Sequence, residues 1–494
     1  MLAGLFGKKC NHPMADIKSA QLLLDALPRN DALKSATELT DWLESVIAEF
    51  KLADQLAVVG LLDETAQFYA KKLAYELFSM PDVNSFQGER LRRVLGNLAR
   101  QTVNAYDSLF NRYCQGEKGA AAIKAQLPPL VARAIHASRD QLKYAAVHYD
   151  AYDESAWQRL ASYYRHAEQL RYLETPLSQS PAVQATVGRE LGQLMAWSAC
   201  ALDSLSPQGM HLTERLVAQY ASTVEMSATL SGQALFGFDP AHTLTVVRLD
   251  LAASRRNGLR YLELPEMRTK LEALIKTLDK HVMPQELNLG GVFPVEPVKT
   301  AALHVLKQLF DQPARKNARR PFSASVYAVS GFDNVLMRCQ SADEMNTGMQ
   351  LKLENASSGG FLAALPARSA SNAQVGNLLG IQTDGVSRLG VSITRRLLRD
   401  AHGGLYLGAE MLAARVSEVI VRGAGEQQAL WLHASDTNGE VSLLMPANTF
   451  SVQHSLKTRL EGKNYLLMPV VLQENGVDYD LARFRLIEQE EAQE

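Results

Sequence analysis

The chain has 494 residues, 47% of them hydrophobic and 21% charged, with 51 lysines and arginines against 53 aspartates and glutamates. These figures describe a globular protein of about two to four domains and exclude collagenous, wholly disordered and small disulfide-stapled classes. The formal charge of −2 gives no general attraction for duplex nucleic acid or anionic lipid, so basic residues matter only where they cluster.

The chain opens on MLAGLFGKK, apolar and then basic but too short for a signal peptide. No apolar run is long enough for a transmembrane segment. Cys10, Cys114, Cys200 and Cys339 lie far apart without a CxxC pair, so neither a zinc site nor a disulfide framework is expected, and the chain reads as cytoplasmic.

The first half is helical by period. Leu91, Val94, Leu95, Leu98, Val103, Tyr106, Leu109, Phe110 and Tyr113 follow the three-four spacing of one amphipathic helix. Similar stripes cover 52–78 and 123–147, punctuated by Pro81, by Pro128 with Pro129, and by Pro181. Trp157, Leu160, Ala161 and Tyr164 fit the start of a tetratricopeptide helix. No second copy occurs at the required period, so a helical bundle or irregular helix stack is expected over residues 1–235.

Near Leu244 the pattern changes. Residues 244–251 and 259–264 read as two extended segments, joined as a hairpin by a stretch ending in Asn257-Gly258. Helical stretches come next at 268–281 and 298–310, and residues 236–312 are expected to connect the helices to a β-rich remainder. Beyond Pro321 the period is two: Leu351 and Leu353, then Leu389, Val391 and Ile393, then Leu405, Leu407 and Ala409. Asn438-Gly439 and Asn475-Gly476 mark further hairpins. The fold class is therefore α+β multidomain. An N-terminal helical bundle precedes an antiparallel β-barrel over 313–424, with additional strands and an acidic tail (488–494) in 425–494.

Catalytic signatures are missing. There is no GxxxxGK[ST] loop, GxSxG elbow, HExxH helix or strand-GxGxxG-helix, so no enzyme and no cofactor are expected. His136, His148 and His166 read as ordinary helix residues. The informative cluster is Pro313-Ala314-Arg315-Lys316-Asn317-Ala318-Arg319-Arg320-Pro321, a cationic loop between two prolines leading into a strand. Arginine forks there suit phosphate oxygens or the O6/N7 edge of guanine. After the strand at 349–353 comes Asn355-Ala356-Ser357-Ser358-Gly359-Gly360, where an amide and a hydroxyl share one face of a turn and glycine lets a flat base approach.

RxxxR (Arg315, Arg319), a strand, then [D/N]xSxxG (Asn355, Ser357, Gly360) resembles the PilZ domain, the bacterial cyclic di-GMP receptor module. The similarity extends through Leu389-Gly390-Val391 and the strand Gly404-Leu405-Tyr406-Leu407-Gly408-Ala409-Glu410, about residues 312 to 422. The resemblance implies a six-stranded barrel binding cyclic di-GMP on its outer face. Arg315 and Arg319 would be the clamp, with Arg320 as auxiliary. Asn355 and Ser357 would be base contacts and Gly360 the permissive turn. Thirty-five residues separate Arg319 from Asn355, so a hairpin insertion near 341–348 is expected, and Thr394-Arg395 stand where the family often has tryptophan. The expected function is a receptor or effector that changes domain arrangement or partner binding on ligand capture, with a protein partner on the helical domain. The alternative is a constitutive adaptor whose barrel does not bind.

Overall fold

The computed structural model describes the chain apart from residues 1–11, 47–49, 81, 178–184, 250–257, 312–319, 341–347, 384–387, 424, 434–438, 461 and 490–494. It divides into two units, residues 1–148 with 152–313, and residues 149–151 with 314–494.

The first unit holds eleven α-helices among the described residues. The three-four stripe becomes helix Phe86–Cys114, which buries Leu91, Leu95, Leu98, Val103, Tyr106, Leu109 and Phe110. Its first turn is capped by the Ser85 hydroxyl, which accepts from the Gly88 amide at 3.2 Å. The stripe at 52–78 is helix Leu52–Ser79. Pro128 and Pro129 do not interrupt the third stripe. They occupy the first turn of helix Leu127–Val147, where a missing N–H leaves no bond unmade. A buried polar link joins the three: Tyr106 donates to Asp63 Oδ2 at 2.7 Å, and Arg133 reaches the same oxygen at 3.1 Å. Trp157, Leu160, Ala161 and Tyr164 are the buried face of helix Glu154–Gln169.

A four-stranded antiparallel sheet comes next, built from β1 (Glu225–Ser227), β2 (Phe236–Asp239), β3 (Thr243–Arg248) and β4 (Arg260–Glu263) in the order β1-β4-β2-β3. The expected hairpin between 244–251 and 259–264 is thus corrected. β2 lies between those two strands and pairs with both. Its Phe236 and Phe238 are buried, and Tyr164 sets its ring edge against Phe238 with centroids 5.4 Å apart. Helices Met267–Leu278 and Val295–Leu306 complete the unit. Among the described residues no helix is long and apolar enough to cross a membrane.

The second unit is two closed antiparallel barrels. The first is formed by β5 (Arg320–Ser330), β6 (Met349–Ser357), β7 (Gly360–Ala364), β8 (Leu378–Thr383), β9 (Leu389–Arg399) and β10 (Leu405–Ala413), in the cyclic order β10-β7-β6-β5-β8-β9. The additional strands close into a barrel of their own: β11 (Val416–Arg422), β12 (Glu426–Leu432), β13 (Glu440–Pro446), β14 (Leu456–Leu460), β15 (Lys463–Asn475) and β16 (Tyr479–Gln489). The Asn475-Gly476 turn joins β15 to β16. β16 runs through Glu488, so the expected acidic tail begins inside a strand.

Both barrels share a core. Leu389, Val391 and Ile393 of β9 pack with Val416, Leu430, Leu444, Tyr479 and Leu481 of the second barrel and with Phe332, Val335 and Leu336. Because side chains alternate along a strand, Ser392 and Thr394 point the other way, and both are also buried. The long RxxxR-to-NxSxxG spacing contains helix Phe332–Gln340. The hairpin expected near 341–348 lies outside the described residues except for Gly348. The second barrel caps this helix: Asp478 Oδ2 accepts from the Phe332 amide at 2.6 Å, and Gln340 donates to Glu418 at 2.9 Å.

Candidate functional site

The predicted residues that are described meet where β5, β6 and β7 begin and end. Arg320 opens β5, exposed, opposite Ala356, and Pro321 is opposite Asn355. Arg315 and Arg319 lie outside the described residues. The ladder is irregular here, shifting register between Pro321 and Ala324 on β5 and between Leu353 and Asn355 on β6. Such bulges re-aim side chains and loosen pairing at a strand end. Phe322 sits in the β5 bulge and is 52% exposed.

Asn355 is half-buried, and its Oδ1 is shielded from water with no hydrogen-bond partner among the described residues. A shielded amide oxygen without a donor is an acceptor held ready for one. Ser357 closes the β6–β7 turn opposite Gly360, and its hydroxyl donates to the Gly360 carbonyl at 3.3 Å. Gly360 has φ +154°, and a Cβ there would lie 2.1 Å from the Ala409 carbonyl oxygen. Its glycine identity therefore stems from the close passage of β10. The space on its Cβ side is filled by the β10 backbone.

Next to this turn runs a charge network. Glu410 pairs with Gly360 across β10 and β7, and its carboxylate accepts from Arg395 Nε at 2.7 Å. The same guanidinium grips Glu474 of β15 with two bonds of 2.8 and 2.7 Å. Burial opposes the Arg395 charge, but the two carboxylates outweigh it and raise its pKa above the ordinary arginine value. Arg395 thus ties the β10 side of the turn to the second barrel, a role that no local pattern around Thr394-Arg395 announces. Phe322 carries no local mark either: that the aromatic beside Pro321 is exposed is decided by the fold. Among the described residues no group of three or more His, Cys, Asp or Glu side chains is placed to hold a metal ion.

The architecture is that of a helical unit followed by tandem six-stranded antiparallel barrels. Residues 18–230, essentially the helices before β2, match the family model for the N-terminal domain of the cyclic-di-GMP receptor FimW. The matched residues end before the first barrel. No curated protein and no solved structure matches the chain.

Proposed function

We propose that the chain is a cytoplasmic bacterial receptor for cyclic di-GMP. It captures the dinucleotide on the first barrel and thereby changes its domain arrangement or partner binding. The observation that carries the ligand's identity is the match of the helical residues to a domain of a cyclic-di-GMP receptor. The PilZ-like motifs of the first barrel, read independently of those helices, point to the same ligand.

In this reading Arg315, Arg319 and Arg320 clamp phosphates and guanine edges, and the Asn355 Oδ1 accepts a guanine N–H. Ser357 adds a second polar contact, and Gly360 keeps the turn tight against β10. Phe322 offers an exposed ring for base stacking. Arg319 directly precedes Arg320 in sequence, and the strand partner of Arg320 is only one residue from Ser357. One arginine–guanine pair is worth about 1–3 kcal/mol, and one stacked base about the same. Several such contacts are needed for the roughly 8 kcal/mol of micromolar binding once ordering costs are met. One of the chain's crossings between the two units falls within 312–319. Ligand that prefers the state with those arginines engaged would shift the population of unit arrangements.

Calorimetric titration of the full chain with cyclic di-GMP tests the receptor role. Saturable binding at micromolar concentration or tighter is expected, with loss in Arg315→Ala and at least a tenfold weakening in Phe322→Ala. Absence of binding in the wild type would reduce the barrels to a scaffold and favour the constitutive adaptor. Small-angle scattering with and without saturating ligand tests the second part, because identical curves would remove rearrangement while leaving capture intact.

A further inference from the structure

The helical unit holds a pocket of about 470 Å³, open to solvent on one side and within the roughly 300–1,000 Å³ typical of small-molecule sites. Its walls come from helices Leu52–Ser79, Leu127–Val147 and Pro207–Tyr220, with Asn288 and Gly290 closing one side. Part of the lining is a buried ion pair with a histidine beside it. Lys143, 5% exposed, donates to Glu214 at 3.0 Å and to His211 Nδ1 at 2.8 Å. The opposite ring nitrogen of His211 donates to the Leu289 carbonyl at 2.9 Å, which identifies a neutral imidazole. Lys143 also lies over the Phe78 ring. These groups explain one another.

Three further cations stand in the same lining, and one of them, Arg139, shares Glu214 with Lys143. Arg139 is 9% exposed, yet its Nε has no hydrogen-bond partner among the described residues, while its Nη1 donates to Glu190. The nearest carboxylates are Glu214 at 3.6 Å from Nε and Glu190 at 3.4 Å from Nη1, long for charge-assisted bonds. Arg215 Nε donates to the Asn288 carbonyl at 3.2 Å, and Arg215 forms no salt bridge among the described residues, although its charge adds to those acting on Glu214. Lys71 is exposed and forms no ion pair among them either. The lining as a whole carries Lys71, Arg139, Lys143 and Arg215 against Asp140 and Glu214. Even counting Glu190, positive charge is in excess.

A buried guanidinium with one N–H unused despite its two carboxylates, beside two cations that form no salt bridge among the described residues in a pocket of this size, is arranged for an anion. We infer that this cavity binds a small organic anion, a phosphate monoester or carboxylate no larger than a mononucleotide. The anionic group meets Arg139 and is steered by Lys71 and Arg215, and Asp140 accepts from the ligand's hydroxyls. The site is distinct from the barrel face and does not depend on the receptor reading.

The test is calorimetry on the full chain with guanosine 5′-monophosphate, ribose 5-phosphate and citrate, with guanosine as the neutral control. At least one anion should bind saturably with a Kd below about 1 mM, and which one does so separates phosphate from carboxylate recognition. Guanosine should not bind. Lys71→Ala, an exposed change that leaves the core intact, should weaken binding at least tenfold. Ala70→Trp, which fills the cavity from the Leu52–Ser79 wall, should abolish it. The inference is overturned if none of the three anions binds, if guanosine binds as well as its phosphate, or if neither variant loses affinity.

Discussion

An acceptor withheld from water without a donor costs about 1–3 kcal/mol, and Asn355 Oδ1 is such an acceptor. Asn355→Leu should therefore leave the unliganded barrels as stable as the wild type or more so, while cyclic di-GMP binding weakens at least tenfold. Denaturant unfolding and calorimetry on the same variant read the two effects separately. At Gly360 the order reverses. A methyl group would meet the Ala409 carbonyl oxygen at 2.1 Å, so Gly360→Ala should cost stability of the size seen for overpacked sites, about 1–3 kcal/mol, visible as a lowered melting temperature without ligand. In the helical unit, burial and the neighbouring Lys143 charge hold the His211 pKa down to about 3 from 6.5. Between those values the unfolded chain binds a proton that the folded chain refuses, so this contribution to stability is full above pH 6.5 and falls as pH falls. The slope approaches about 1.4 kcal/mol per pH unit. Burial opposes the Glu214 carboxylate, but Lys143 and Arg139 pull its pKa below the ordinary 4.5, which adds loss of the same sign below that pH. Thermal melts between about pH 7 and 5 should show the decline, with a shallower slope in His211→Gln.

Among the elements, helix Phe332–Gln340 is the piece whose role differs most from its local reading. It lies between β5 and β6 in sequence, yet its first amide is held by Asp478 from the β15–β16 turn. Asp478→Ala removes that cap and should cost about 0.5–2 kcal/mol, read as faster amide exchange over 332–340. β9 makes a related point. The alternation Leu389, Val391, Ile393 marks a strand correctly, and period two implies a wet face for the residues between. Ser392 and Thr394 are nevertheless buried, because the apolar row faces the second barrel while its neighbours face inward. Strand β2 escapes a reading by period because four residues, Phe236-Gly237-Phe238-Asp239, carry too little of it to register. Without β2 the flanking segments look like partners.

On the scale of the whole chain, the shared core makes the two barrels mechanically one. Ile393→Ala in the first barrel should cost about 2–5 kcal/mol and should shift the unfolding of the second barrel by a similar amount, followed by the fluorescence of buried Trp431. Independent unfolding of Trp431 would contradict a common core. The class of the fold, the long helices and most strands, and the Asn355-Ser357-Gly360 motif on its hairpin are legible in the local sequence pattern. All of these rest on spacings of a few residues, where periodicity and turn chemistry act directly. Tertiary structure alone decided that the last strands close a second barrel, that Arg395 bridges Glu410 and Glu474, and that Asn355 keeps an acceptor free. It also decided that Lys143 meets His211 and Glu214, 68 and 71 residues away in sequence. Contacts over such separations depend on which elements pack together, and the free energy that selects the packing is spread over the whole core rather than written in any one segment.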